Sequence, residues 1–264
     1  MKNKKVWGYV LYVFIITILF FGCMNLKTHV GDTLKHSSIA AKELEVKRSF
    51  KNGAENFVFL LKEMHMPVPD PDMCIKMPIF CEKFIGSTAS GIVLSSDKAS
   101  IAVLTAAHFC LPTQEEAMFK EKIIGVAGDQ PREMMILAVD EDNDLCLLIG
   151  AKKKSDNFKS IKIAKDSIVG EEVYTVAAPL GIGGAGIRLI FEGHLSGCNI
   201  EGCMTTIPAT FGSSGAGILN SKGELITIVM AVPENFDHVV ISPSNSAVIN
   251  FILDIDAEVD IYPY

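Results

Sequence analysis

From Phe84 onward the hydrophobic positions fall into short, repeatedly punctuated runs: "SGIVLSS", "SIAVLTAA", "EKIIGVAG", "MMILAV", "DLCLLIG", "IKIA", "EEVYTVAAP", "IRLIFEGHL", "MTTIPAT", "AGILN", "ELITIVMAV" and "HVVISP". Runs of about 4 to 8 residues, rich in β-branched side chains and bounded by Gly, Asp or Ser, predict strands rather than helices. A dozen such runs in the last 180 residues predict an all-β domain of sandwich or barrel type. The polar stretch "AKKKSDNFKS", residues 151 to 160, divides it into halves of about 84–155 and 156–264. Only "SNSAVINFILDI", near the end, reads as a helix, with Ser244 or Asn245 as its N-cap.

The pattern before Phe84 is different. Lys2, Lys4 and Lys5 precede an uncharged run from Val6 to Leu26, 21 residues long, and a membrane-spanning helix needs about 20. A secretory signal has a shorter apolar core. The leading lysines place that side in the cytoplasm and everything after Lys27 across the membrane. "FFGC", ending at Cys23, offers lipoprotein processing as an alternative, which the bulky Phe20 and Phe21 fit poorly. The expectation is a retained anchor over 1–27, then a stalk and Pro-rich linker over 28–83. The segment "KELEVKRSFKNGAENFVFLLKE" reads as a stalk or packing helix, interrupted by Gly53 and ended before Pro67, Pro69 and Pro71.

Composition narrows the function. Apolar residues make up 49% of the 264 and charged residues 21%, enough to bury a core. The net charge of −7 offers no basic footprint for nucleic acid. Beyond Cys23 stand Cys74, Cys81, Cys110, Cys146, Cys198 and Cys203, an even number suited to an oxidising compartment. Cys74 with Cys81, and Cys198 with Cys203, could each close a short loop, but spacing alone does not fix the pairing. Met64, His65, Met66, Met73, Cys74 and Met77 are soft ligands of the kind that hold Cu(I). A disulfide-bearing linker is the preferred reading there, with no metal and no cofactor expected.

Two glycine-rich stretches remain. "GIGGAG", Gly181 to Gly186, matches the spacing of a dinucleotide fingerprint, which works only where a strand leads into a helix. The β-branched "IRLIFEGHL" follows instead, so nucleotide binding is not expected. "TFGSSGAGIL" sets Ser213 and Ser214 among glycines, in the arrangement Gly212-Ser213-Ser214-Gly215-Ala216-Gly217. A hydrolase nucleophile elbow would need Gly where Ala216 stands. A nucleophilic serine also needs a base, an orienting acid and backbone N–H donors for the oxyanion. "VLTAAHFC" provides a base candidate in His108, at the end of an apolar run. "VDEDNDLCLLIG" provides acids: Asp144 directly precedes a buried-looking strand, whereas Asp140 and Asp142 read as a solvated turn.

The order His, Asp, Ser, carried by "TAAH", "DLCLL" and "GSSGAG", resembles the three catalytic blocks of the chymotrypsin-like serine proteases. The likeness leans toward the HtrA-type branch through "ASGIVLSS", "VAAPLGIGGAGIRLIFEGHLSG" and "VVISPSNSAVINFIL", and spans about residues 85 to 255. It implies two six-stranded antiparallel β-barrels with a C-terminal helix, the site lying in the cleft between them, and a protein or peptide substrate. No PDZ-like module is read after it. Carried over, Ser214 is the nucleophile, His108 the general base and then acid, and Asp144 the residue that fixes the imidazole tautomer. Gly212 and Ser214 supply the oxyanion N–H groups. Ser213 stands where activated trypsin-like enzymes carry the aspartate that pairs with a new N-terminus, so that switch is not expected. Pro208, where trypsins place an acid, argues against Lys or Arg at P1, and "ITIVMAV" lacks the histidine of glutamyl endopeptidases. A pocket of Pro208, Thr210, Val229, Met230 and Ala231 is expected to take a small or medium apolar P1. The alternatives are an inactive homologue that keeps the barrels as a binding module, and an envelope metal-binding protein.

Overall fold

The computed structural model describes residues 50–51, 53–65, 84–113, 119–127, 130–182 and 187–259. The first six strands are β1 (Phe57–His65), β2 (Phe84–Ser96), β3 (Ser100–Ala106), β4 (Lys120–Ala127), β5 (Gln130–Asp140) and β6 (Leu145–Ala151). They form a closed barrel in the order β1-β2-β3-β6-β5-β4, with every neighbouring pair antiparallel. A helical turn, α1 (Ala107–Cys110), directly follows β3.

The last described part of the expected stalk belongs to this barrel instead. Residues 53–56 are helical, but "FVFLLKEMH" is strand β1, with Leu60 opposite Ala89 of β2 on one side and Gly125 of β4 on the other. Its aromatic and β-branched start and its alternating burial suit a pleated, half-buried surface better than a helix. Without β1 the edges of β2 and β4 would lie unpaired, an arrangement that folded sheets avoid. The folded unit therefore includes residues before Phe84, and Phe50 packs edge-on against Tyr174 with ring centroids 4.8 Å apart.

The second half contains β7 (Glu172–Ala177), β8 (Leu189–Cys198), β9 (Cys203–Thr205), β10 (Gly217–Asn220), β11 (Leu225–Ile228) and β12 (Val240–Ser242). These form a six-stranded antiparallel sheet in the order β11-β10-β7-β8-β9-β12. Its two ends meet at one bridge, Ala231 to Ile241, so this barrel closes by a single contact where the first closes by a full ladder. "IKIA", expected as a strand, makes only a bridge between Ile163 and Leu225. The final helix, α2 (Asn245–Val259), starts where the sequence placed it, and Ser244 is its cap: Ser244 Oγ accepts the Ala247 N–H at 3.1 Å.

The apolar runs owe their continuity to two-sided burial. In "SIAVLTA", Ile101 and Val103 fill the first barrel with Val58, Leu60 and Leu148. Ala102 and Leu104 on the other face pack with Leu219, Leu225, Ile228, Val248 and Phe251 of the second half. A strand buried on both faces loses its polar alternation. The expected membrane anchor at 1–27 lies outside the described residues. Among the described residues no helix is long and apolar enough to cross a membrane.

Candidate active site

Strand register brings His108 and Asp144 together. β3 and β6 are antiparallel neighbours with Ala106 opposite Leu145, so the turn after β3 and the turn before β6 lie at the same end. His108 sits two residues beyond Ala106, and Asp144 directly precedes Leu145. The two turns then bond: Ala107 N–H donates to the Asp144 carbonyl at 3.1 Å and His108 N–H to Asp144 Oδ1 at 2.8 Å. His108 Nδ1 lies 2.8 Å from Asp144 Oδ2. A carboxylate only accepts, so Nδ1 carries the proton of that bond and Nε2 offers its lone pair. Asp144 has φ +54°, a left-handed conformation that Asp tolerates better than most residues and that turns its carboxylate back toward α1.

Further contacts brace this pair. A disulfide joins Cys110 to Cys146, each two residues beyond its partner in the dyad, with Cα atoms 6.6 Å apart. Lys62, fully buried on β1, donates from Nζ to the Leu111 carbonyl at 3.1 Å, just past the end of α1. Sequence spacing carried no signal for either. The second disulfide, Cys198–Cys203, closes the "NIEG" loop as spacing allowed. The Cys74 and Cys81 pair lies outside the described residues, as do Met66, Met73 and Met77 of the metal alternative. Met64 and His65 are on β1, and among the described residues no group of three or more His, Cys, Asp or Glu is placed to hold a metal.

Ser214 lies on the turn between β9 and β10, where each backbone carbonyl from Phe211 to Ser214 is held. The Phe211 carbonyl accepts Leu180 N–H at 2.5 Å, the Gly212 carbonyl accepts Ser90 Oγ–H at 2.8 Å, and the Ser213 carbonyl accepts Ala216 N–H at 3.0 Å. The Ser214 carbonyl accepts Ser90 N–H at 2.9 Å. All four carbonyls are thus committed, while the N–H groups of Gly212 and Ser214 have no hydrogen-bond partner among the described residues. Gly212 has φ +87°, and a Cβ there would stand 2.5 Å from the Ala178 carbonyl, so both conformation and space require glycine. Gly215, at φ +82°, packs against the Ser90 carbonyl and Thr105, where a Cβ would collide with both.

A cleft of about 720 Å³ contains both His108 and Ser214, with Thr210, Val229, Met230 and Ala231 of the expected pocket. Pro208 does not line it; its neighbour Ala209 does. The sequence reading missed the far wall, formed by the loop from Val232 to Asp237, and the rim residue Phe211, which is 86% exposed. An aromatic residue directly before Gly212 was the available signal for Phe211, and the loop left none. Ser213 is buried, with its Oγ accepting Thr210 N–H at 3.3 Å, so it closes the turn instead of facing the cleft. Asp140 accepts the backbone and side-chain N–H groups of Asn143 at 3.1 and 2.8 Å. Asp142 lines a separate surface cleft beside α2. Gly181 ends a helical turn at Pro179–Gly181, and strand β8, not a helix, follows the "GIGGAG" stretch.

Residues 89–228, more than half of the chain, match the trypsin-like peptidase domain. No curated protein matches the chain. Among solved structures, the serine endoprotease from Yersinia pestis is similar, with a TM-score of 0.58 and 18% identity over 80% of this chain. The match spans 66% of that protein, just under two thirds of its length. The chain belongs to the trypsin-like peptidase domain family, with the two-barrel fold of the chymotrypsin-like serine proteases.

Proposed function

We propose that this chain is a serine endopeptidase in which Ser214, His108 and Asp144 act as a triad. The observation that carries the reading is their convergence: the Asp144-bonded imidazole and Ser214 border one cleft, beside two backbone N–H groups that have no partner among the described residues. Ser214 Oγ attacks the scissile carbonyl carbon as His108 Nε2 takes its proton. The oxyanion formed receives the N–H groups of Gly212 and Ser214. His108 then gives the proton to the departing amine, the C–N bond breaks, and an acyl-enzyme remains. Water repeats the sequence at the ester. Asp144 holds the tautomer that leaves Nε2 unprotonated at the start.

The substrate would lie extended along the segment after β11. Among the described residues, the Met230 carbonyl and Val232 N–H have no partner, and an added antiparallel strand would use both. Ala209, Val229, Met230 and Ala231 favour a small or medium apolar P1. Glu234 and Asp237 also line the cleft, so a P1 lysine library is the informative counter-test: preference for it over P1 alanine or valine contradicts the apolar reading. The apolar run from Val6 to Leu26, read as an anchor, and the disulfides favour action outside the cytoplasm, with the catalytic unit tethered at the membrane.

A fluorophosphonate probe tests the proposal against an inactive homologue that serves only as a binding module. Labelling of the native chain, abolished in Ser214→Ala and retained in Ser213→Ala, is the expected result. A folded native chain that takes no label contradicts it.

A further inference from the structure

Ser90 lies on β2, in the first barrel, yet most of its hydrogen bonds serve the second. Its side chain is completely buried. Ser90 Oγ donates to the Gly212 carbonyl at 2.8 Å and accepts Ala178 N–H at 2.9 Å. Its own N–H donates to the Ser214 carbonyl at 2.9 Å, and its carbonyl accepts Thr105 Oγ–H at 2.8 Å. One residue therefore holds the carbonyls of both residues whose N–H groups face the oxyanion.

We propose that the Ser90 hydroxyl is a positioning group that keeps the oxyanion-binding turn in its working geometry. The inference rests on the reading of Ser214 as the nucleophile. Its physical basis is the freedom of Gly212: a glycine at φ +87° can swivel about both backbone bonds at little cost. Three hydrogen bonds oppose this, one of them from Ser213 N–H to the Thr210 carbonyl at 2.9 Å. Leu180 N–H fixes the Phe211 carbonyl, and because the intervening peptide is trans and planar, that directs the Gly212 N–H to the opposite side. Ser90 Oγ fixes the carbonyl on the other side of the same glycine. A hydroxyl is needed because the group must both donate and accept, which alanine cannot do. Losing it in this buried pocket would leave the Gly212 carbonyl and the Ala178 N–H without partners; relieving the first by turning the Gly212–Ser213 peptide would strain the Ser213 N–H bond to the Thr210 carbonyl and shift the adjoining Gly212 N–H.

The test compares Ser90→Ala, Ser90→Cys and Ser90→Thr with a control, Thr227→Val. Thr227 is also buried and donates to the Pro243 carbonyl at 2.8 Å, but it does not touch the serine turn. The measurements are kcat and KM on a peptide substrate, affinity for a peptidyl boronate that mimics the tetrahedral intermediate, and Tm. Ser90→Ala should lower kcat by roughly 10- to 100-fold, short of the roughly 100- to 1000-fold for losing an oxyanion donor outright. KM should stay within about twofold, and boronate affinity should fall in step with kcat/KM. Ser90→Thr, which keeps the hydroxyl, should recover most of the loss; Ser90→Cys, with a weak donor, should not. Thr227→Val should lower Tm with kcat kept. Native kcat and boronate affinity in both Ser90→Ala and Ser90→Cys overturn the proposal. So does an equal kcat loss in Thr227→Val at equal Tm loss. A native chain without turnover or fluorophosphonate labelling overturns the catalytic reading itself, and this inference with it.

Discussion

The two halves of the site are held in different ways. In the first barrel, β1 closes the sheet by a continuous ladder with β4, and the Ala106–Leu145 pairing alone brings the His and Asp turns side by side. A disulfide and a buried lysine then brace the same turns. In the second half, Ser214 lies between a three-residue and a four-residue strand, in a sheet whose ends meet at one bridge. Two of the carbonyl clamps on its turn, those on Gly212 and Ser214, come from Ser90 across the lobe boundary. The proposed base and acid inherit their geometry from barrel register; that of the proposed nucleophile depends on tertiary hydrogen bonds. The first arrangement should tolerate loss of a brace, and the second should not.

Four predictions sharpen or break that contrast, in descending order of effect on turnover. Asp144→Asn should reduce kcat by roughly 10,000-fold through the wrong imidazole tautomer, with the fold unchanged by circular dichroism. Near-native turnover in that variant would move the acid to another residue. Gly212→Ala puts a Cβ against the Ala178 carbonyl and should cost roughly 100- to 1000-fold in kcat, the size of a lost oxyanion donor. Replacing Cys110 and Cys146 together by serine should lower stability by about 3–4 kcal/mol, read by urea unfolding, because the crosslink closes a long loop. Turnover of the folded fraction should stay within about threefold, since the His108–Asp144 bonds do not depend on it. A loss as large as that of Gly212→Ala would erase the contrast between the halves.

The smallest effect on turnover concerns the segment joining the lobes. Burial raises the Asp156 carboxyl, but the Arg132 guanidinium and the Lys153 N–H outweigh it and hold the group below the ordinary carboxylate range. Protons thus bind more weakly to the folded state than to the unfolded one. The pair's stabilisation is present at neutral pH and disappears as pH falls through and below the usual carboxylate range. Tm should decline with acid there, and Asp156→Asn should flatten that decline while lowering Tm at pH 7, with Arg132 left buried and unpaired.

The sequence made the strands, the final helix and the order His, Asp, Ser legible because each leaves a local trace. Short apolar runs bounded by Gly, Asp or Ser, a serine before an apolar helical stretch and small residues around Ser214 all act within a few positions. β1 was misread because "NFVFLLKE" is compatible with a helix by composition, and only pairing with β2 and β4 decides otherwise. The resemblance to trypsins puts Pro208 in the pocket, whereas the backbone presents Ala209 to the cleft. Cys110–Cys146, Lys62 and Ser90 were invisible for a common reason: each acts across a large sequence separation, 36 residues for the disulfide and 122 for Ser90 and Gly212. Local pattern carries no record of such contacts.

The central claim is that Ser214, and not its neighbour Ser213, becomes covalently acylated. Intact-mass analysis with a slowly deacylating ester, followed by peptide mapping, measures this directly. A single acyl increment should appear on Ser214, absent in Ser214→Ala and strongly slowed in Asp144→Asn. An increment mapped to Ser213, or no acyl-enzyme in a chain that still cleaves peptides, would contradict that claim.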